Sequence, residues 1–254
     1  MAVAGIDVGA RYAKAVVLQD GRVTASSSVA TGFDPAASAR SALDAALAAA
    51  GLDASAVRAV VATGAGAEMV PFATSRISMV GAVARAGVWH FPDARTVVDV
   101  GAEDARAAKT DERGTLLDFV VNDRCAAGAG AFIEAMTRAL EVRLDEMGPL
   151  SLESTREIPM NAQCVIFGES EVVSLIHNKT SKADIARAVY DAMADRVSSM
   201  VRRLGVNPAV VLVGGVARDA GFVSSLSRRL GVELRIPENP EFSGAVGAAL
   251  SAPS

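Results

Sequence analysis

The tetrapeptide Asp-Val-Gly-Ala occurs twice in this chain, at residues 7–10 and again at residues 99–102. Each copy follows a short apolar run, and each precedes a second apolar run, a polar turn and a further extended stretch. The two turns are at residues 19–22 and 111–114. The same order of strand, turn and strand around the same tetrapeptide indicates an internal duplication. The chain is therefore predicted to contain two related halves.

Each copy places a glycine at a bend close to an acidic residue: Gly9 follows Asp7, and Gly101 follows Asp99. Glycine lets the backbone approach a phosphate closely, and a neighbouring carboxylate can hold a hydrated magnesium ion. Two facing phosphate loops are the functional interpretation, and two ordinary Asp-Gly turns are the alternative. The pairing of the copies, together with a third glycine signal further along, favours a nucleotide site.

The first half continues with a predicted helix and strand. Residues 35–50 are rich in alanine and are followed by Gly51, a pattern typical of a helix with glycine just past its C-terminus. Residues 57–62 form a short apolar strand that ends at another glycine-rich bend, residues 63–66. A connecting segment through Arg85 and Trp89 is expected to lead to the second copy. We place an N-terminal subdomain at residues 1–92 and a C-terminal subdomain at residues 93–254.

The second half is predicted to be richer in helices. Apolar periodicity and glycine stops indicate helices at residues 132–142, from Val165 onward, at 182–204 and at 222–230. Between the last two, an apolar strand at residues 209–213 runs into Gly214-Gly215-Val216-Ala217, the third glycine signal. A strand that ends in Gly-Gly before a helix brings bare backbone to a ligand, and here the adenosine is the natural candidate. The two halves are expected to close around one cleft.

Composition excludes several function classes. The chain has 254 residues, 51% of them apolar, and a net charge of −4 without a long basic run, which argues against nucleic acid as a partner. The N-terminus has no basic n-region, and no uncharged run is long enough to span a bilayer, so we expect neither a signal peptide nor a membrane partner and place the protein in the cytoplasm. Two cysteines and two histidines, without metal-site spacing, exclude a self-contained four-ligand metal site.

With these residues in view, the chain resembles the BadF/BadG/BcrA/BcrD ATPases, which include activators of 2-hydroxyacyl-CoA dehydratases and ATP-binding subunits of benzoyl-CoA reductase. The resemblance runs along nearly the whole chain, through both Asp-Val-Gly segments, residues 60–64 and residues 214–217. Its most specific stretches are residues 122–130 and 164–172, each of which carries one cysteine. The resemblance implies an α/β chain with the actin-like ATPase fold of acetate and sugar kinases, Hsp70 and actin, in which two duplicated domains enclose a nucleotide cleft.

The resemblance also implies a 4Fe-4S cluster held by Cys125 and Cys164 and shared between two subunits, either as a homodimer or with a paralogous ATPase subunit. The count of thiols agrees, because a cubane cluster usually takes four thiolates and each chain offers two. Each cysteine precedes a predicted helix, whose positive N-terminus stabilises a thiolate. Two buried, inert cysteines are the alternative from sequence context alone. The implied partners are a low-potential electron donor such as ferredoxin and a CoA-thioester reductase or dehydratase component.

The resemblance assigns roles to three sets of residues around ATP and Mg2+. The catalytic set is Asp7, Asp99, Glu103 and Asp104. The cofactor-binding residues on the phosphate side are Gly9, Arg11, Lys14, Gly101 and Ala102, and Gly128 and Gly130 of the cysteine loop are further cofactor-binding residues. The adenosine-side set is Gly214, Gly215 and Ala217. ATP hydrolysis is expected to move the domains and, through the segments after the two cysteines, to drive an electron into a partner enzyme.

The loops depart from the family pattern in places. Ala10 and Arg11 stand where hydroxyl residues are common, so phosphate contacts must come from backbone amides, Arg11 or Lys14. Glu103 replaces a common glutamine and is expected either to orient water or to act as a base. The second loop and the cysteine loop look more like benzoyl-CoA reductase subunits, so the main prediction is a benzoyl-CoA reductase component, with the dehydratase activator as an alternative.

Two other classes use the same fold. A small-molecule kinase, such as an N-acetylglucosamine kinase relative, would share the phosphate loops but would need a sugar-binding insertion, and no stretch of the sequence is obviously available for one. An actin-like assembly module would bind ATP to control docking without electron transfer. Neither class needs Cys125 or Cys164.

Overall fold

The computed structural model of the chain describes residues 1–122, 126–160 and 164–253. The described residues form two five-stranded sheets. The first sheet contains β1 (Ala2–Val8), β2 (Tyr12–Gln19), β3 (Arg22–Ala30), β4 (Val57–Thr63) and β5 (Ser75–Arg76). The second contains β6 (Thr96–Val100), β7 (Ala105–Thr110), β8 (Leu116–Asn122), β9 (Val210–Val213) and β10 (Leu234–Arg235).

The two sheets have the same strand arrangement. The first has the order β3-β2-β1-β4-β5, and the second, read from its other edge, has the order β8-β7-β6-β9-β10. In the first sheet β1 pairs antiparallel with β2 and parallel with β4. Since β6 carries the second Asp-Val-Gly and occupies the place that β1 has in the first sheet, the predicted duplication is confirmed at the level of topology.

Eight α-helices accompany the sheets in the described residues. They are α1 (Pro35–Ala50), α2 (Met79–His90), α3 (Gly130–Leu140), α4 (Leu144–Leu152), α5 (Val165–His177), α6 (Lys182–Leu204), α7 (Ala220–Leu230) and α8 (Ser243–Ala249). The predicted helices at 35–50 and 182–204 are confirmed at both ends, and Gly51 takes the left-handed conformation that stops α1. None of the helices in the described part of the chain is long and apolar enough to cross a bilayer.

The chain divides into two compact units that are discontinuous in sequence. Unit 1 consists of residues 1–97, 108–118 and 237–254, and unit 2 of residues 98–107 and 119–236. A compact unit and a sequence repeat need not have the same boundaries, because a segment at the end of one repeat can pack with residues of the other. The predicted subdomains at 1–92 and 93–254 stay a prediction about the repeat.

The segment through Arg85 and Trp89 is a helix rather than the connecting segment that the sequence led us to expect. Ser78 caps α2 by accepting a hydrogen bond from the amide of Gly81 at 3.3 Å. Its valine, alanine and glycine residues form a narrow buried face, and a Cβ on Gly87 would lie 2.3 Å from Val97 Cγ2. The prediction was wrong because these small residues lack the strong apolar period that usually signals an amphipathic helix.

Helix α8 packs in unit 1 against β1 and α2 through glycines on both sides. A Cβ on Gly5 of β1 would lie 1.9 Å from the carbonyl oxygen of Ala245, and one on Gly247 would lie 1.8 Å from the carbonyl oxygen of Ala82. Only glycine permits so close an approach of two backbones. This packing places the first turn of α8 at the end of β1, where Gly244 would touch the Asp7 carboxylate if it had a side chain.

His90, at the end of α2, gives a prediction about stability. Burial lowers its pKa from 6.5 to about 4, although a helix C-terminus would by itself favour the charged form. The unfolded chain therefore binds a proton near pH 6.5 while the folded protein stays neutral at this site, so stability falls as the pH drops from 6.5 towards 4. Urea unfolding at about pH 7.5 and about pH 5.5 is expected to show a lower midpoint at the lower pH.

The control for this prediction is the variant His90→Leu, which removes the titrating ring and keeps an apolar side chain of moderate size. Its urea midpoint should change less between the two pH values than that of the parent protein. An equal change in both proteins would show that His90 does not carry the pH dependence.

Candidate functional site

In unit 1, the first Asp-Val-Gly forms a tight bend between β1 and β2. The amide of Gly9 donates to the carbonyl oxygen of Tyr12 at 3.0 Å, which closes the bend. Asp7 is 2% exposed and lies opposite Lys14 in the strand register. Lys14 Nζ is 3.7 Å from Asp7 Oδ2. The bend therefore presents a buried carboxylate, the ligand type that Mg2+ takes, with a basic side chain beside it.

In unit 2, the second Asp-Val-Gly repeats this geometry. The amide of Gly101 donates to the carbonyl oxygen of Asp104 at 2.9 Å, and Asp99 is 3% exposed. Arg106 Nη1 donates to Asp99 Oδ2 at 2.8 Å and also pairs with the Asp104 carboxylate. Sequence reasoning missed Arg106. The signal was present, since Arg106 lies seven positions after Asp99, as Lys14 lies seven after Asp7.

Each buried aspartate is covered by a glycine that directly follows the neighbouring strand of the same sheet. Gly64 follows β4 with φ +90°, and a Cβ there would lie 2.5 Å from Asp7 Oδ1. Gly214 follows β9 with the same φ of +90°, and its Cβ would lie 2.4 Å from Asp99 Oδ1. Any other residue would be strained at this φ and would collide with the carboxylate. Gly214 was predicted for the site, and Gly64 was recognised only as part of a bend.

Other predicted loop residues are placed as follows. The side chains of Arg11 and Glu103 are exposed. The first bend is braced by Thr31, whose amide donates to the carbonyl oxygen of Arg11 at 2.9 Å and whose hydroxyl donates to that of Gly9 at 2.9 Å. Hydrogen bonds among its own residues therefore hold the first bend, and the roles of both bends in binding and catalysis stay predictions.

Gly128 and Gly130 make contacts within unit 2. The amide of Gly130 donates to the carbonyl oxygen of Gly101 at 2.9 Å, which places the start of α3 against the second bend. A Cβ on Gly128 would lie 2.6 Å from Asn122 Nδ2. These contacts account for both glycines by close packing, and their predicted contact with a cofactor stays a prediction.

The segment predicted to face adenosine is a single 3-10 turn, Gly215–Arg218, between β9 and α7. Gly215 is exposed, with nothing within 4 Å of the position of a Cβ, so its backbone is accessible. Asp219 caps α7 by accepting hydrogen bonds from the amides of Gly221 at 2.9 Å and Phe222 at 3.2 Å, and it also accepts one from the Tyr190 hydroxyl at 2.5 Å. Burial raises the pKa of Asp219. The turn thus ends at a fixed buried cap.

Of the two cysteines, Cys164 is described and Cys125 lies outside the described residues. Cys164 is a free, partly exposed thiol at the N-terminal cap of α5. Residues 1–122, 126–160 and 164–253 contain no group of three or more His, Cys, Asp or Glu side chains that could hold a metal ion.

Comparison with known proteins gives a consistent result. A model of the BadF/BadG/BcrA/BcrD ATPase family matches residues 4–252. The 2-hydroxyisocaproyl-CoA dehydratase activator of Clostridioides difficile is 37% identical, over 98% of this chain and 93% of the relative. The activator of lactoyl-CoA dehydratase of Anaerotignum propionicum is 38% identical, over 98% and 96%. A benzoyl-CoA reductase subunit of Thauera aromatica is 33% identical, over 85% and 79%.

Solved structures show the same fold. The activator of the 2-hydroxyisocaproyl-CoA dehydratase from Clostridium difficile, with bound ADPNP, superposes with a TM-score of 0.93 at 36% identity, over 99% of this chain and 94% of that chain. A ROK family glucokinase from Streptomyces griseus superposes with a TM-score of 0.59 at 16% identity, over 99% of each chain, a likeness of fold alone. The predicted actin-like ATPase fold is confirmed.

Proposed function

Because the chain belongs to the BadF/BadG/BcrA/BcrD ATPase family, we propose that it hydrolyses ATP to activate a 2-hydroxyacyl-CoA dehydratase, by delivering a low-potential electron to it. The observation that carries the proposal is the repeated arrangement in the two units. Each has a buried aspartate with a basic side chain beside it and a left-handed glycine over it. Repetition of this arrangement in both units argues for a duplicated phosphate-binding bend rather than for ordinary turns.

The residues of both bends suit a magnesium nucleotide. Asp7 and Asp99 would hold hydrated Mg2+, which neutralises phosphate charge when bound. The amides at the bends and the cations Arg11 and Lys14 would contact the phosphates. Gly214, Gly215 and Ala217 would contact the adenosine through backbone. Glu103 would orient the attacking water, since its exposed carboxylate is free of the Arg106 pairing that engages Asp104.

The two cysteines suit a cluster shared by two subunits. The thiol of Cys164 at a helix N-terminus has the surroundings of a thiolate ligand, and Cys125 would supply the second ligand from the same chain. Two chains then supply the four thiolates that a 4Fe-4S cluster takes, which fits a homodimer. The cluster supplies one-electron transfer when bound. The electron would come from a donor such as ferredoxin.

The choice of partner enzyme rests on the comparisons. The two dehydratase activators are 37% and 38% identical over 98% of this chain, whereas the benzoyl-CoA reductase subunit is 33% identical over 85%. These values favour the activator over the benzoyl-CoA reductase component that the loop residues suggested. The glucokinase likeness, at 16% identity, gives no support to a kinase reaction.

The direct test is anaerobic reconstitution. The purified protein is mixed with a reductant, Mg-ATP and the dehydratase component for a 2-hydroxyacyl-CoA, and formation of the enoyl-CoA is measured. ATP-dependent dehydration is expected, and omission of ATP should abolish it. Benzoyl-CoA reduction with a reductase core, in place of dehydration, would support the alternative. Phosphorylation of a sugar would support the kinase.

The nucleotide state is expected to change exposure of the cluster, because a ligand that favours one arrangement of a hinged protein shifts its population. Iron loss to an external chelator is followed anaerobically by the visible absorbance in the nucleotide-free, ADP and ATP-analogue states. We expect faster loss with the ATP analogue than with ADP. Equal rates in all three states, at confirmed nucleotide occupancy, would contradict the mechanical link between nucleotide and cluster.

A further inference from the structure

Helix α3 begins without a side-chain cap. The first amides of a helix have no partner within it, and α1, α2, α6 and α7 use the side chains of Asp34, Ser78, Ser181 and Asp219 as caps. At α3 the amides of Gly130 and Ala131 instead donate to the carbonyl oxygens of Gly101 and Ala102, at 2.9 and 2.7 Å. The second bend is therefore itself the cap of α3.

The contact leaves little room for independent movement. A Cβ on Gly130 would lie 3.2 Å from Val216 Cγ2 and 3.3 Å from the carbonyl oxygen of Gly101. The start of α3 thus lies close to the bend after β6 and to the turn after β9, both in unit 2. A shift of either one must displace the first turn of α3 or break its capping hydrogen bonds.

Helix α3 packs on α5 at a glycine. A Cβ on Gly168 of α5 would lie 3.0 Å from Phe132 Cε2 and 3.2 Å from Met136 Sδ, and both of these α3 side chains are fully buried. A close-packed interior has low compressibility and transmits displacement. The amide of Gly168 also donates to the carbonyl oxygen of Cys164 at 3.0 Å, so Gly168 is one helical turn from the thiol.

We propose that Gly168 is a positioning residue for Cys164. This proposal rests on the proposed function. Nucleotide at the second bend moves the start of α3, and Phe132 passes the movement to Gly168. The first turn of α5 then reorients the thiol of Cys164. Each step is a hydrogen bond or a packed contact within one compact unit. Because Gly168 has no side chain, the ring of Phe132 can pack directly against the α5 backbone.

The test uses the ratio of iron-release rates with ATP analogue and with ADP, measured in the cluster-loaded protein. Gly168→Ala drives a methyl group against Phe132, and Phe132→Leu removes the ring atom that it meets. Each variant alone is expected to bring the ratio closer to one, by about 2- to 30-fold, and the double variant should recover part of the parent ratio. Ser170→Ala, at an exposed position of the same helix, should keep the parent ratio.

Nucleotide affinity is measured in parallel and should be unchanged, because neither residue lies at the bends. A parent-like ratio in both single variants would overturn the proposal and leave the proposed function intact. A ratio of one in the parent protein would sink the mechanical link of the proposed function and this proposal with it. If a variant takes up no iron, the alkylation rate of Cys164 in cluster-free protein carrying Cys125→Ser replaces the iron signal and is judged by the same ratio.

Discussion

Asp99→Asn is expected to lower magnesium-dependent ATP hydrolysis on the order of 100-fold while the protein stays folded. The substitution keeps the size of the side chain and an oxygen that can accept from Arg106, which now donates to Asp99 Oδ2 at 2.8 Å. It removes the negative charge that would hold Mg2+ at the phosphates. The loss should therefore appear in turnover and in the magnesium concentration required, rather than in the unfolding midpoint.

Phosphate release measured across a magnesium titration tests this expectation, with circular dichroism to confirm the fold. Asp44→Asn is the matched control, because it makes the same chemical change at an exposed position of α1. Asp7→Asn should give a loss of similar size if the two bends act on one nucleotide. Unchanged turnover in Asp99→Asn would remove this residue from the magnesium site and would weaken the whole assignment of the paired bends.

The duplication was visible in the sequence because its marks are local. Asp7 and Gly9 recur as Asp99 and Gly101, and the turn and strand that follow recur at similar distances. The strand orders of both sheets then follow from one repeated unit. Long helices such as α6 were equally accessible, since an apolar stripe, a serine cap and a terminal glycine all lie within the segment itself.

The features of the site that were not predicted depend on contacts between segments that are distant in the chain. Gly64 and Gly214 cover their aspartates only because β4 lies beside β1 and β9 lies beside β6, and neither strand alone shows which strand will be its neighbour. Arg106 was passed over because its signal, the seven-residue spacing from Asp99 that Lys14 has from Asp7, appears only when the two copies are aligned. The capping of α3 by carbonyl oxygens of the distant second bend was invisible for the same reason, since cap rules look for a polar side chain next to the helix.

The comparisons favour the alternative prediction of the partner enzyme over the main one. The main prediction rested on a few loop residues, among them Ala102 and Glu103, that differ from the pattern of dehydratase activators. Similarity over the whole chain favours the activators. Short loop differences are weak evidence, because loops vary among relatives while the scaffold that positions them is kept.

Cys164→Ser is expected to reduce bound iron to near zero in anaerobically prepared protein. The thiol is partly exposed at the N-terminal cap of α5, so it is not a packing group of the core, and serine is well tolerated at a helix cap. The hydroxyl oxygen cannot replace a thiolate as a cluster ligand at neutral pH. Iron content and visible absorbance should fall together, while the unfolding midpoint of the iron-free protein stays close to that of the iron-free parent.

Cys125→Ser should give the same loss of iron, because each removes two of the four thiolates of a site shared by two identical chains. Ser174→Ala, on the exposed part of α5, serves as the control and should retain the full iron content. ATP hydrolysis in the cysteine variants separates the two functions of the chain, since the bends that would bind nucleotide contain neither cysteine. A full iron complement in either cysteine variant would refute the cluster assignment. Loss of iron in only one of the two variants would instead indicate an asymmetric site, in which a paralogous subunit supplies the remaining ligands.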